Sequence, residues 1–168
     1  FRMFQGHIFC FDITSAEKPI LVTILINPKK INHSPLPYQK TINKDNLDRF
    51  SYYCKRTLGL LKEISFKADI IHCHDWQSAL ISVYLKTIYK DDRFYENTRT
   101  LLTIHNIGYQ GIFPKEEFPT LGLDWGLFNV EGLEFYDQIN ILKGGMVFSD
   151  IINTVSPTYS REIQTKEF

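Results

Sequence analysis

Apolar positions along this chain follow two different periods, and the switches between them mark out its elements. Residues 7–13 (HIFCFDI) and 20–26 (ILVTILI) are short runs of β-branched and aromatic residues separated by the turn-like SAEKP, and this predicts two strands. Residues 27–43 (NPKKINHSPLPYQKTIN) hold three prolines among polar residues and read as an extended loop. From Asp45 the spacing changes: Leu47, Phe50, Cys54, Leu58 and Leu61 recur at steps of three and four, which places them on one face of a helix.

The next pattern decides the fold class. ADIIHC (68–73) is a short buried-strand run, QSALISVYLKTIYK (77–90) a helical run, and RTLLTI (99–104) a second strand. Strand, crossover helix and strand in that order predict two parallel strands joined by a right-handed connection. A long segment rich in Gly, Pro and aromatics, from His105 to about residue 138, reads as a loop of the length usually kept for function. Beyond it, INILKGGMVFS predicts a helix, DIINTV another parallel strand, and SPTYSREIQT a helix capped by Ser156 with Pro157 in its first turn. The expected architecture is α/β: an open parallel sheet with helices on both faces. There is no internal repeat and no low-complexity stretch.

Composition narrows the partners. A chain of 168 residues with 43% hydrophobic content suits one domain with a sizeable core. Nineteen basic residues balance nineteen acidic ones, so no overall field attracts nucleic acid or an anionic membrane. No apolar run reaches the roughly 18 residues of a membrane span. Three cysteines (Cys10, Cys54, Cys73) without paired spacing argue for reduced thiols. The chain opens on Phe1 and closes on EIQTKEF inside a predicted helix, so both ends are expected to be internal to a longer protein.

In open parallel sheets ligands bind beyond the carboxyl ends of the strands. Three such tips carry polar groups: His72-Cys73-His74-Asp75-Trp76, His105-Asn106 and Ser156-Pro157. His72 and His74 point to one side of a strand and could ligate zinc, but a catalytic zinc needs three protein ligands and few further histidines remain. His72 reads better as a residue hydrogen-bonded within the core. Asp75, between strand and helix, fits an N-cap and a ligand contact equally well, and the two can coexist. Trp76, Tyr109 and Phe113 fit hydrophobic filling and sugar platforms alike, and Gly108 and Gly111 either permit a positive-φ turn or let a ligand reach the backbone. Lys143-Gly144-Gly145 lies inside a helical run; its glycines suggest close helix packing, with Lys143 solvated or ligand-facing.

Three blocks in order, DIIHCHDWQSALISVYLK, LLTIHNIGYQGIFP and INILKGGMVFSDIINTVSPTYSREIQT, with KDNLDRFSYYCKRTL as a weaker fourth, resemble the bacterial glycogen synthases and plant starch synthases. The resemblance covers about residues 44 to 168. It implies that residues 1–168 are part of the Rossmann-like N-terminal lobe of a GT-B enzyme, without the family's Lys-x-Gly-Gly-Leu loop or its C-terminal nucleotide-sugar lobe. The implied reaction is retaining transfer of glucose from ADP-glucose, or UDP-glucose, to the non-reducing end of an α-1,4-glucan, with no cofactor or metal. His105 and Asp75 become the catalytic candidates, and Trp76, Asn106, Tyr109 and Gln110 the substrate-binding ones. Tyr38 corresponds poorly in spacing to a family tyrosine. The implied setting is the bacterial cytoplasm or the plastid stroma. Two other functions compete: a non-catalytic carbohydrate-binding or regulatory module, and a zinc-dependent hydrolase.

Overall fold

The computed structural model describes residues 2–4, 7–12, 21–23 and 44–166. The loop expected over 27–43, with Tyr38, lies outside the described residues, as does the remainder of the second predicted strand beyond Leu21–Thr23.

One sheet organises the fold. Its strands β1 (Arg2–Phe4), β2 (His7–Asp12), β3 (Leu21–Thr23), β4 (Ile70–His74), β5 (Arg99–Ile104) and β9 (Ile151–Thr154) lie side by side in that order. From β3 through β4 and β5 to β9 every pairing is parallel. The β1–β2 and β2–β3 pairings are antiparallel, so the sheet is mixed and not parallel throughout. The connections explain the difference: two residues separate β1 from β2 and eight separate β2 from β3, whereas a parallel crossover needs a dozen or more.

Three helices pack on one face of the parallel part. Helix α1 (Lys44–Glu63) buries Leu47, Phe50, Cys54, Leu58 and Leu61, the face its periodicity marked. Helix α2 (Asp75–Lys86) is buried from Ser78 to Leu85 on every side, because it lies between the sheet, α1 and α3 (Ile141–Phe148). The α2–α3 approach depends on glycine: a Cβ at Gly145 would sit 2.4 Å from the Ala79 Cβ and 3.2 Å from Leu102 Cδ2. Gly144 is similarly closed off by Leu133, at 2.8 Å. On the strands, Ile71, Cys73, Leu102 and Ile104 face this packed side and are at most 2% exposed. Cys54 and Cys73 are buried free thiols, and burial raises the pKa of both.

The segment from His105 to residue 138 has more structure than the loop expected from its sequence. It holds β6 (Ile112–Pro114), 3₁₀ turns at Lys115–Leu121 and Trp125–Leu127, and β7 (Glu134–Phe135), which with β8 (Gln138–Asn140) makes a second sheet ordered β6–β8–β7. Strands of two or three residues are too short to show an alternation. Phe118, Leu121, Leu133 and Ile139, all fully buried, give the segment its own core, and Tyr84 of α2 donates its hydroxyl to the Leu121 carbonyl at 3.1 Å.

Candidate functional site

The parallel register sets His74, the last residue of β4, beside Thr103 of β5, so the first residues beyond the two strands, Asp75 and His105, emerge close together at the sheet's carboxyl edge. Asp75 adopts φ 51°, a left-handed conformation that non-glycine residues take at some expense and that clusters at functional positions. Its Oδ1 accepts from the backbone amides of His105 at 2.7 Å and Asn106 at 3.3 Å. The N-cap alternative for Asp75 therefore fails. The cap position belongs to His74, whose side chain makes no capping bond. Ser78 serves there instead, its hydroxyl accepting from His74 N at 2.6 Å and donating to His74 O at 2.9 Å.

The loop after β5 is held at each amide from His105 to Tyr109. Beyond the two bound by Asp75, Ile107 N donates to the Tyr159 hydroxyl at 2.8 Å, Gly108 N to Asn106 Oδ1 at 2.9 Å, and Tyr109 N to Asn106 O at 3.2 Å. Tyr159 belongs to helix α4 (Pro157–Glu162), whose N-cap Ser156 accepts from Tyr159 N at 3.0 Å. Thr154, at the end of β9, donates its hydroxyl to Ile104 O at 2.6 Å. All three strand tips singled out by sequence thus meet in one place, the third as an anchor for the second.

Farther along, Gln110 and Gly111 join the loop to α3. Leu142 N donates to Gln110 O at 2.9 Å and Ile141 N to Gly111 O at 3.1 Å. Asn140, 1% exposed, donates its Nδ2 to Gln110 Oε1 at 2.6 Å while its Oδ1 caps α3 at Lys143 N, 2.9 Å away. The run INILKGGMVFS puts Asn140 inside the expected helix, whereas the structure ends β8 at Asn140 and starts α3 at Ile141, which makes Asn140 the cap. Lys143 is half-buried, and its ammonium donates to the carbonyls of Val130, at 2.6 Å, and Glu134.

Trp76 is half-buried, with Phe50 at 4.9 Å edge-on and Phe113 at 5.7 Å between ring centroids. Gly111, at φ +64°, lies directly over it, and a Cβ there would fall 2.5 Å from the indole. Trp76 therefore supports the loop from below, and of the two readings of Gly111 the structure shows the positive-φ turn. Tyr109 is 38% exposed, and His105 and Asn106 are exposed as well.

The histidines form a row. His72 Nε2 lies 2.6 Å from Thr103 Oγ1, which donates to Asn153 Oδ1 at 2.6 Å, so His72 is satisfied locally as its sequence context suggested. The His74 ring lies 4.1 Å from that of His72 and 5.2 Å from that of His105, and its Nδ1 meets His105 Nε2 at 2.9 Å. Burial and the neighbouring imidazoles of His72 and His105 press the His74 pKa down to about 4, against a smaller opposing effect of Asp75. Burial, then His105, lowers that of His72. From sequence His74 offers itself only as a metal ligand, and the signal for its contact with His105 is its place at the strand tip on the side of His72. Among the described residues, no group of three or more His, Cys, Asp or Glu is arranged to hold a metal ion.

A sheet whose parallel strands carry an exposed histidine at their tips, on a loop hydrogen-bonded at each amide from His105 to Tyr109, is the architecture of a Rossmann-like α/β lobe. The family model for the starch synthase catalytic domain matches residues 4–168, and the chain belongs to that family. It is 56% identical over 117 residues to the glycogen synthase of Thermotoga petrophila, a match covering 70% of this chain and 24% of the relative. The glycogen synthase of Fervidobacterium nodosum is 43% identical over 162 residues, covering 92% and 33% respectively. The fold superposes on the catalytic domain of starch synthase IV from Arabidopsis thaliana bound to ADP and acarbose, with a TM-score of 0.72 and 35% identity over 84% of this chain and 29% of that one. The chain thus spans about a quarter to a third of the length of these relatives. Its fold is that of part of a GT-B catalytic domain. No helix among the described residues is long and apolar enough to cross a membrane.

Proposed function

We propose that residues 1–168 form part of the N-terminal lobe of a retaining glucosyltransferase that moves glucose from ADP-glucose, with UDP-glucose as the alternative donor, to the non-reducing end of an α-1,4-glucan. The observation that carries this reading is the Asp75 carboxylate bound to the amides of His105 and Asn106, which pins an exposed imidazole at the strand tips of a chain from the starch synthase family. The Arabidopsis neighbour was bound to ADP and acarbose, and this fits such a site.

In this reading His105 reaches a hydroxyl of the transferred glucose with its imidazole, and its backbone carbonyl lies near the anomeric carbon. A fixed dipole there stabilises the positive charge that develops as the glycosidic bond to the nucleotide breaks. Asp75 holds His105 through Oδ1 and meets the reacting sugars through Oδ2. Asn106, Tyr109 and Gln110 shape the pocket, and Trp76, which carries their loop from beneath, is also a platform for the sugars. The nucleotide is gripped by a second lobe outside these residues, no cofactor takes part, and the setting is the bacterial cytoplasm or the plastid stroma.

A transplant tests the proposal. Replacing the matched segment of the Thermotoga petrophila glycogen synthase with this chain's residues should give an enzyme that incorporates label from ADP-[14C]glucose into glycogen. The 168-residue chain alone should leave glycogen unlabelled, because catalysis needs both halves positioned together. A folded, inert chimera would sink the reading.

A further inference from the structure

We infer that His74 is a positioning residue that sets the tautomer of His105: His74 donates Nδ1–H to His105 Nε2, so His105 carries its proton on Nδ1 and offers that N–H as its hydrogen-bond donor. The two nitrogens are 2.9 Å apart, and between two neutral imidazoles, each with a single N–H, only one can donate. If His105 donated, His74 would have to carry its proton on Nε2. That atom is buried and has no hydrogen-bond partner among the described residues. A buried N–H with no acceptor is the rarer and more damaging defect, whereas a bare ring nitrogen only leaves an acceptor unused. The geometry therefore selects the arrangement with His74 protonated on Nδ1.

The neighbouring groups leave that choice intact. His72 engages Thr103, whose hydroxyl hydrogen points to Asn153 Oδ1, so His72 is itself an Nε2–H donor and its contact with His74 is ring against ring. Asp75 directs Oδ1 to the backbone amides of His105 and Asn106. A charged His74 would also place an N–H on each nitrogen, but burial and the facing His72 and His105 keep the ring neutral near pH 7. Fixing one ring's tautomer through a hydrogen bond to its other nitrogen is a general device for histidine.

The consequence for chemistry deepens the proposed function and rests on it: toward a sugar, a neutral His105 of this tautomer donates from Nδ1 and cannot accept there. The tautomer itself does not depend on that reading and is tested without substrate. Long-range 1H–15N spectra of the imidazoles in the 168-residue chain at neutral pH, assigned with His105→Ala, should show His105 protonated on Nδ1 and bare on Nε2. His74→Asn, whose amide N–H takes the place of the ring Nδ1–H, should preserve that signature. His74→Leu should lose it, moving His105 toward the Nε2–H form that unconstrained histidine favours. Wild-type His105 protonated on Nε2, or an unchanged His105 in a folded His74→Leu chain, would overturn the inference. If His74→Leu does not fold, the wild-type spectrum decides alone. A correct tautomer in a chain whose His105 proves dispensable for transfer would sink only the functional reading.

Discussion

The two faces of the parallel sheet are built from the same strands and do opposite work. On one, Ile71, Cys73, Leu102 and Ile104 are closed off by α1, α2 and α3, with glycines at 144 and 145 letting the helices approach. On the other, His72, Thr103 and Asn153 form a polar ladder that leads through His74 to the exposed His105. Strand alternation places these sets one residue apart along each strand. A single substitution can therefore test stability or chemistry almost separately, and the difference between the faces predicts which.

The largest effect belongs to the packed face. Leu102→Ala leaves a cavity under α3 and should destabilise the chain by about 2–5 kcal/mol, read as a lower denaturation midpoint with no change in the His105 imidazole signals. A substitution there that altered the tautomer without altering stability would break the comparison. His105→Ala should do the reverse. In the active chimera kcat should fall by about two to three orders of magnitude, the scale for removing one preorganised donor from a reacting centre, while the apparent affinity for ADP-glucose and the thermal midpoint change little. A folded variant with unimpaired turnover would move the reacting centre away from this strand end.

Acid should act on the polar face. The folded pKa of His74 lies at about 4, below its ordinary value of 6.5, so between these values the unfolded chain binds more protons than the folded one. The contribution of the neutral ring is complete above about pH 6.5 and is lost as pH falls toward 4. His72 shifts in the same direction. Urea midpoints across that window should drop with pH, and His74→Asn should flatten the slope; an equally steep slope in that variant would assign the acid sensitivity elsewhere. The smallest effect is expected at the loop anchor. Tyr159→Phe removes the acceptor of Ile107 N and should lower stability by about 0.5–1.5 kcal/mol, with faster amide exchange at Ile107 as the local sign.

Much of this protein was legible in its order of residues. The buried stripe of α1, the strand–helix–strand unit through α2, the cap at Ser156 and the concentration of polar groups at three strand tips all follow from spacings of two, three or four residues. Such spacings are local, and a chain shows them without neighbours. The same local rules misread Asp75 as a possible cap and could not show that Lys143 reaches the carbonyls of Val130 and Glu134, because each side chain has several partners within reach along the sequence and takes one that lies beyond its own turn. Only the folded arrangement decided that Asp75 holds amides thirty residues on, that Tyr159 closes the loop from fifty-two residues away, and that His74 faces His105. Those contacts depend on which strands lie side by side and in what register. Register is set by the packing of whole strands against α1, α2 and α3, a quantity summed over the fold that no short window of residues contains.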